Sequence, residues 1–258
     1  MPRRRNFSER VIEPLAAPAL ALVVLAAWQI AVPLFGLSEF VLPTPWQIGQ
    51  RIVADFAMLI EHTWVTLLEV LTGFVLAIVI GVPVALAIFY SRPFEKAVYP
   101  LLIALQTIPK VVLAPLLVLY LGYGWAPKIF LAFLIAFFPI VIATVVGLQS
   151  LEPGMVNLVR SMGSTEWQTF WKIRLPAALP NIFGGLKVGI ALAVIGAVIG
   201  EYVAAERGLG YLQLQANAKF DTTLNFASVV MVSMVGVLLY FTVMYFEARL
   251  VYRRDAAK

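Results

Sequence analysis

The sequence contains no cysteine, which removes disulfides, thiolate nucleophiles and sulfur-ligated metals. Histidine occurs once, at His62, so a cluster of imidazole ligands cannot be assembled. Charged residues make up only 13% of the 258 positions, too little polar material to cover a soluble globule of this size. The G-x-x-x-x-G-K-[ST] pattern that cradles nucleotide phosphates is missing, so the chain does not bind ATP by itself in that way. The apolar stretches also carry no run of carboxylates of the kind a proton relay needs. An intramembrane enzyme would require a nucleophile with its base or a metal pair, and the residues for either are wanting.

What is present is apolar. Hydrophobic residues reach 62% and the mean hydropathy is +0.92, against about 45–50% apolar residues in ordinary soluble domains. The membrane is therefore the solvent. Backbone groups in lipid can be satisfied only in helices or a closed barrel, and long unalternating apolar runs select helices. At roughly 20 apolar residues per crossing, six spans are expected: Leu15–Phe35, Val65–Tyr90, Ala97–Leu121, Pro127–Leu148, Ala178–Val203 and Phe226–Val251. The expected fold class is all-α, a polytopic membrane protein with six transmembrane helices in one domain covering residues 1–258. The N-terminal basic run is not followed by a small-residue cleavage site, so the first span reads as a retained helix.

The net charge of +5 does not signal nucleic acid, because the basic residues flank apolar runs. A six-span topology with both termini cytoplasmic places Arg3, Arg4, Arg5, Arg10, Arg92, Lys96, Arg160, Lys172, Arg174, Arg249, Arg253, Arg254 and Lys258 inside. Outside it leaves Arg51, Lys128, Arg207 and Lys219, with Lys110 and Lys187 inside spans. Thirteen against four is the asymmetry of the positive-inside rule. The segments Phe40–Ile60, with Pro43 and Pro45, and Ala204–Asn225, with Gly208 and Gly210, then fall at the outer surface, and the second could dip into a pore mouth.

Two spans carry small residues at four-residue spacing: Gly73, Ala77, Gly81, Ala85 and Gly185, Gly189, Ala193, Ala197. Such ladders let two helix backbones approach closely, within the chain or across a dimer. Pro109 and Pro115 interrupt the third span, and broken helices at membrane depth belong where they face protein or a wet cavity. The third span is therefore the expected lining of a pathway.

One polar stretch stands apart, Asn157–Pro176, NLVRSMGSTEWQTFWKIRLP, between the fourth and fifth spans. Gly163 permits a turn between two short helices, and Pro176 is expected to end the second and begin the fifth span. Trp167, Phe170 and Trp171 give an apolar face for a groove on a partner, unless they merely anchor an interfacial helix. Gly163, nine residues, Ile173, one residue, then Leu175-Pro176 resembles the cytoplasmic coupling loop of ABC-importer permeases. Asn157-Leu158-Val159 stands where that family has Glu-Ala-Ala. The likeness extends more loosely through Gln106–Gly124 and Ile195–Tyr211, and resembles the nitrate, sulfonate and taurine importers, a group that includes importers of pyrimidine vitamin precursors.

The resemblance implies a type I importer permease in the bacterial inner membrane, with a coupling loop at about residues 149–177. It implies Asn157, Gly163, Ser164, Thr165, Glu166, Trp167, Ile173, Leu175 and Pro176 as the residues that meet an ATPase subunit. It implies a second permease copy in a homodimer and a periplasmic or lipid-anchored binding protein. ATP and Mg are used by the partner, with no cofactor on this chain. Gln106, Thr107, Pro109, Lys110 and Glu201 are the candidate pathway residues. A lysine in mid-span either lines a path for an anion such as a sulfonate, taurine or nitrate, or bonds carbonyls freed by the prolines, or pairs with Glu69 or Glu201. Glu201 reads as a gate or partner of Lys110, or as a wetted helix end; Asn217 is a further hydrogen-bonder, and His62 reads as a surface residue beyond the spans. The competing class is an ion-coupled secondary transporter, which would more often show internal repeats and paired embedded charges.

Overall fold

Unbroken stretches of Leu, Val, Ile and Ala in a solvent without hydrogen bonds leave helix as the local solution. The computed structural model describes residues 7–252, and among these every regular element is helical. The elements are α1 (Phe7–Leu34), α2 (Pro45–Ala54), α3 (Phe56–Tyr90), α4 (Arg92–Thr107), α5 (Lys110–Leu121) and α6 (Trp125–Gln149). They continue with α7 (Pro153–Ser161), α8 (Glu166–Thr169), α9 (Leu175–Ala204), α10 (Leu209–Ala218) and α11 (Thr222–Glu247). The six expected spans map onto α1, α3, the pair α4–α5, α6, α9 and α11. Four of these positions, α3, α6, α9 and α11, are continuous helices long and apolar enough to cross a membrane. In α1 the apolar part is the shorter stretch Pro18–Leu34. Arg3, Arg4, Arg5, Arg253, Arg254 and Lys258, on which the inward placement of the termini leans, lie outside the described residues.

The third span departs most from a simple rod. α4 and α5 meet at 97°, so the expected helix Ala97–Leu121 is a bent pair. Pro109 lacks an N–H and its ring forces the residue before it out of helical geometry, and Ile108 accordingly sits at φ −67°, ψ 127°.

The centre of the molecule is α6 clasped between α3 and α9. Both small-residue ladders pack on α6 within the same chain, which settles the choice the sequence left open. A Cβ added at Gly73 would come within 2.6 Å of the Ala132 Cβ and 2.9 Å of the Ile129 carbonyl oxygen. On the other side Gly185 rests against Ala143, Gly189 against Ile140, and Gly196 against the backbone of Leu131 and Ala132. Helices already in lipid gain little from burial of apolar area, so this backbone proximity supplies the packing. Gly196→Leu should therefore be among the costly substitutions, because the new side chain meets main chain, at 2.7 Å from the Ala132 Cα, rather than a movable side chain. A loss of about 1–3 kcal/mol or more is expected, read as a lower denaturant midpoint of the purified protein in mixed micelles.

The two segments expected at the outer surface lie together at one end. Arg51 of α2 bridges Asp55 at 2.5 Å and Asp221 at 2.7 Å, and the Thr222 hydroxyl donates to the Phe40 carbonyl oxygen at 2.6 Å. α2 begins with a capping box between Thr44 and Gln47 and Pro45 in its first turn. The α3–α4 turn, α7 and α8 lie at the opposite end, where Tyr90 packs against Phe170 with ring centroids 6.1 Å apart.

Candidate functional site

At that second end, α6 stops at Gln149 and a polar loop leads into α7. α7 ends in a tight reversal: Gly163 N–H donates to the Arg160 carbonyl oxygen at 2.9 Å and Ser164 N–H to Val159 at 3.3 Å. Gly163 has φ +82°, a left-handed conformation that glycine adopts without penalty. The next turn is nucleated by Thr165, whose Oγ1 accepts from Gln168 N–H at 3.2 Å while Gln168 Oε1 accepts from Thr165 N–H at 3.0 Å. Ser164 Oγ lies 3.0 Å from Thr169 Oγ1, and Arg160 pairs with Glu166 across the reversal. The sequence signal for this cap, a threonine followed three residues later by glutamine, was there to be read.

Asn157 and Trp167 are exposed, Trp167 at 70%. Trp171 is exposed beside it, the two indoles edge to face with centroids 5.4 Å apart. Phe170 does not join them. It turns inward and packs with Leu148, Ala178 and Ile182, so the free aromatic face is two tryptophans rather than three rings. Ile173, Leu175 and Pro176 are half-buried at the root of α9. Pro176 does not end a helix as expected. α8 runs into α9 through a widened turn, Phe170–Arg174, giving one helix from Glu166 to Ala204. Proline removes an i to i−4 bond and crowds the carbonyl four residues back, here Lys172, which lies within the widened turn.

The candidate pathway residues do not converge on one site. Lys110 donates to the Gln106 carbonyl oxygen and lies 5.2 Å from the centroid of the Phe138 ring. Thr107 Oγ1 donates to the Ala104 carbonyl oxygen at 2.7 Å. Lys110 therefore serves a carbonyl released at the Pro109 break, and Gln106, Thr107, Pro109 and Lys110 form the elbow of the bent pair. Glu201 lies elsewhere, at the end of α9 that meets α10, 1% exposed. Its Oε1 accepts the Thr66 hydroxyl at 2.6 Å and its Oε2 accepts the Gly210 N–H at 2.5 Å. It is neither a wetted helix end nor a partner of Lys110.

Around Glu201 the structure assembles a buried polar network. Lys128, placed in an outer loop by the charge count, is 3% exposed inside α6 and pairs with Glu69 of α3. Thr66 Oγ1 accepts from Leu209 N–H at 2.8 Å, and His62 Nδ1 accepts from Gly208 N–H at 2.9 Å. His62 is thus half-buried on α3, which starts nine residues before the expected span. The carboxyl group of Glu201 fills the space that a Cβ on Gly208 would need. The missed signal was periodic: positions 62, 66 and 69 lie on one face of a helix. Together these bonds pin the start of α10 to α3 and α9.

The comparisons with known proteins bear on this geometry. Residues 73–255 match the family described as binding-protein-dependent transport system inner membrane component. The formylaminopyrimidine transport permease ThiX of Halalkalibacterium halodurans is 36% identical over 231 residues, covering 89% of this chain and 92% of that protein. The riboflavin transport system permease RibX of Chloroflexus aurantiacus is 36% identical over 241 residues, covering 93% and 90%. The putative aliphatic sulfonates transport permease SsuC of Bacillus subtilis is 31% identical over 223 residues, covering 84% and 79%. Among solved structures, a chain of the inward-facing MetNI methionine ABC transporter superposes with a TM-score of 0.65 at 21% identity. It covers 78% of this chain and 97% of that one, a likeness of fold.

Proposed function

The chain belongs to the inner-membrane components of binding-protein-dependent transport systems, the permeases of ABC importers, and from that premise we propose that it imports a small planar nitrogen heterocycle of the vitamin-precursor kind. The class rests on the family match over residues 73–255, and the fold is that of a type I importer permease. As the pore subunit the chain moves a solute and leaves hydrolysis to another protein. The solute reading is supported by the relatives at 36% identity over about nine-tenths of the chain, named for formylaminopyrimidine and riboflavin.

In this reading a single permease domain pairs with a second copy in the bacterial inner membrane, both termini cytoplasmic. Each copy receives one ATPase subunit, which uses ATP and Mg, on the Gly163 turn and the surface carrying Asn157, Glu166, Trp167 and Trp171. A periplasmic or lipid-anchored binding protein delivers solute at the end formed by α2 and α10. Closure of the ATPases draws the two loops together, and the continuous helix Glu166–Ala204 carries that motion as a lever to the outer end, turning an inward-open pore outward-open.

The test is reconstitution. The permease should co-purify with an ATPase, and vesicles holding both should take up solute only with ATP and binding protein. Proton-driven uptake without an ATPase would overturn the class and restore the ion-coupled alternative. The binding protein's thermal shift with a formylaminopyrimidine, riboflavin and an alkanesulfonate then decides the solute. A small anion, of sulfonate, taurine or nitrate type, is the second reading, favoured by Lys110 at the elbow of the broken span. Lys110→Met should leave assembly intact, and under this second reading it should cut uptake at least tenfold by removing the cation from the path; unchanged uptake would retire the lysine from the path.

A further inference from the structure

The outer end contains a cavity of about 420 Å³ between the loop before α6 and the loop after α9. Its walls are unlike the lipid-facing grooves of the chain. Tyr123 and Trp125 stand on one side, Glu206 and Arg207 on the other, with Val65 and Lys128 deeper in. We propose that this cavity is the receiving site for the solute released by the binding protein, and that it takes a planar nitrogen heterocycle bearing an amino edge; this rests on the importer reading above.

The size comes first. A volume of this order sits at the small-ligand end of binding pockets, which run from about 300 to 1,000 Å³. It suits one or two fused rings. The walls supply the rest. Tyr123 is 85% exposed between two glycines of positive φ, Gly122 at +77° and Gly124 at +124°, so its ring stands free of the helices on either side. Trp125 is also exposed, and the Lys128 ammonium lies 5.7 Å from its ring centroid. Two aromatic surfaces at the mouth of a cavity recognise a flat ring by its faces.

Charge then separates the ligand classes. Lys128 is the cation at the floor, and it is already paired with buried Glu69. Arg207 approaches Glu61 at 3.5 Å at the rim. The lining carries Lys128 and Arg207 with Glu206, and both cations are already engaged, Lys128 by Glu69 and Arg207 by Glu61, which is unfavourable for an unaccompanied anion. The rim instead offers an acceptor, the Glu206 carboxylate, beside a donor, the Arg207 guanidinium. An aminopyrimidine edge presents the complementary pair, an exocyclic N–H that donates and a ring nitrogen that accepts.

The second wall is held rigid. His62, Thr66 and Glu201 bind the backbone N–H groups of Gly208, Leu209 and Gly210, immediately after Glu206 and Arg207. A wall fixed before the ligand arrives loses little entropy on binding. This gives the buried network a use: a set of embedded polar groups holds the receptor loop in place, as polar groups at such depth are expected to serve function.

The absence of native cysteine provides the test. Val65→Cys places a single thiol in the cavity of the permease–ATPase complex in nanodiscs, and its modification by a charged maleimide is read on the permease band. Millimolar 4-aminopyrimidine should slow labelling at least threefold, and ethanesulfonate should not. The protection should vanish in Trp125→Ala and in Glu206→Gln, while the variant permeases still co-purify with the ATPase and unfold at the parent's midpoint. Absence of protection by 4-aminopyrimidine, or protection by ethanesulfonate alone, overturns the assignment. A complex that imports the heterocycle with no protection of Cys at position 65 leaves the importer reading standing and removes only this site.

Discussion

Lys128→Met should destabilise the protein by about 3–5 kcal/mol, more than any exposed substitution, because it strands the fully buried Glu69 carboxylate without its cation. Removing one member of a buried pair leaves the whole desolvation penalty of the other, whereas removing both replaces an ion pair by packed apolar groups. The double variant Lys128→Met, Glu69→Leu should therefore recover most of the loss and return to within about 1 kcal/mol of the parent, or above it. The measurement is a pair of unfolding titrations in mixed micelles, completed as a double-mutant cycle with Glu69→Leu alone. If Lys128→Met unfolds at the parent's midpoint, the pair does not exist as described. The cycle also separates stability from transport. A double variant that folds well and transports poorly would show that the ion pair is kept for the cavity beside Tyr123 and Trp125, which Lys128 helps to line, rather than for the fold.

That same pair marks the boundary of what the sequence could tell. Apolar length and the requirement that backbone bonds close within a helix made α3, α6, α9 and α11 readable, because a hydrocarbon solvent admits few alternatives. The ladders at Gly73 and Gly185 were readable for a related reason: small residues at one spacing have few uses other than contact. The spacing from Gly163 to Pro176 was legible as a turn leading into a helix. Depth was not. Counting hydropathy began α3 at Val65, so His62 was set in the water and Lys128 was counted with an outer loop. Those assignments assume that charge implies exposure. Glu69 and Lys128 lie 59 positions apart in the chain, and neither sequence neighbourhood records that the other exists. Pro176 was half legible: it sits in the first turn of α9 as expected, but no helix ends before it. A proline at a helix start and a proline just after a widened turn look alike in sequence, and only the continuity of Phe170–Arg174 separates them. The bend at Pro109 was anticipated as a break, but its angle of 97° depends on what packs against both halves.

Trp167→Ala should weaken capture of the ATPase by about 30-fold, the equivalent of the 2 kcal/mol or more that a central interface tryptophan commonly carries. The reasoning separates three aromatic residues that are adjacent in sequence but differ in environment. Trp167 and Trp171 are exposed and touch each other edge to face, so truncating Trp167 removes exposed apolar surface and little internal packing. Phe170 is buried against Leu148, Ala178 and Ile182, so Phe170→Ala should cost about 3–5 kcal/mol of stability by opening a cavity at the root of α9. Gly163→Val should act on neither surface but on the turn, since a β-branched side chain at φ +82° is strained by about 1–2 kcal/mol. The expected outcomes form a pattern that no general loss of fold reproduces. Trp167→Ala keeps the parent's unfolding midpoint, binds the ATPase poorly and loses ATP-driven uptake. Phe170→Ala lowers the midpoint first. Gly163→Val lowers both by smaller amounts. Equilibrium binding of detergent-solubilised permease to the purified ATPase reads the first quantity and micellar unfolding the second. An unchanged ATPase affinity in Trp167→Ala would mean that the exposed indole pair meets lipid headgroups instead, and that the motor grips this chain elsewhere.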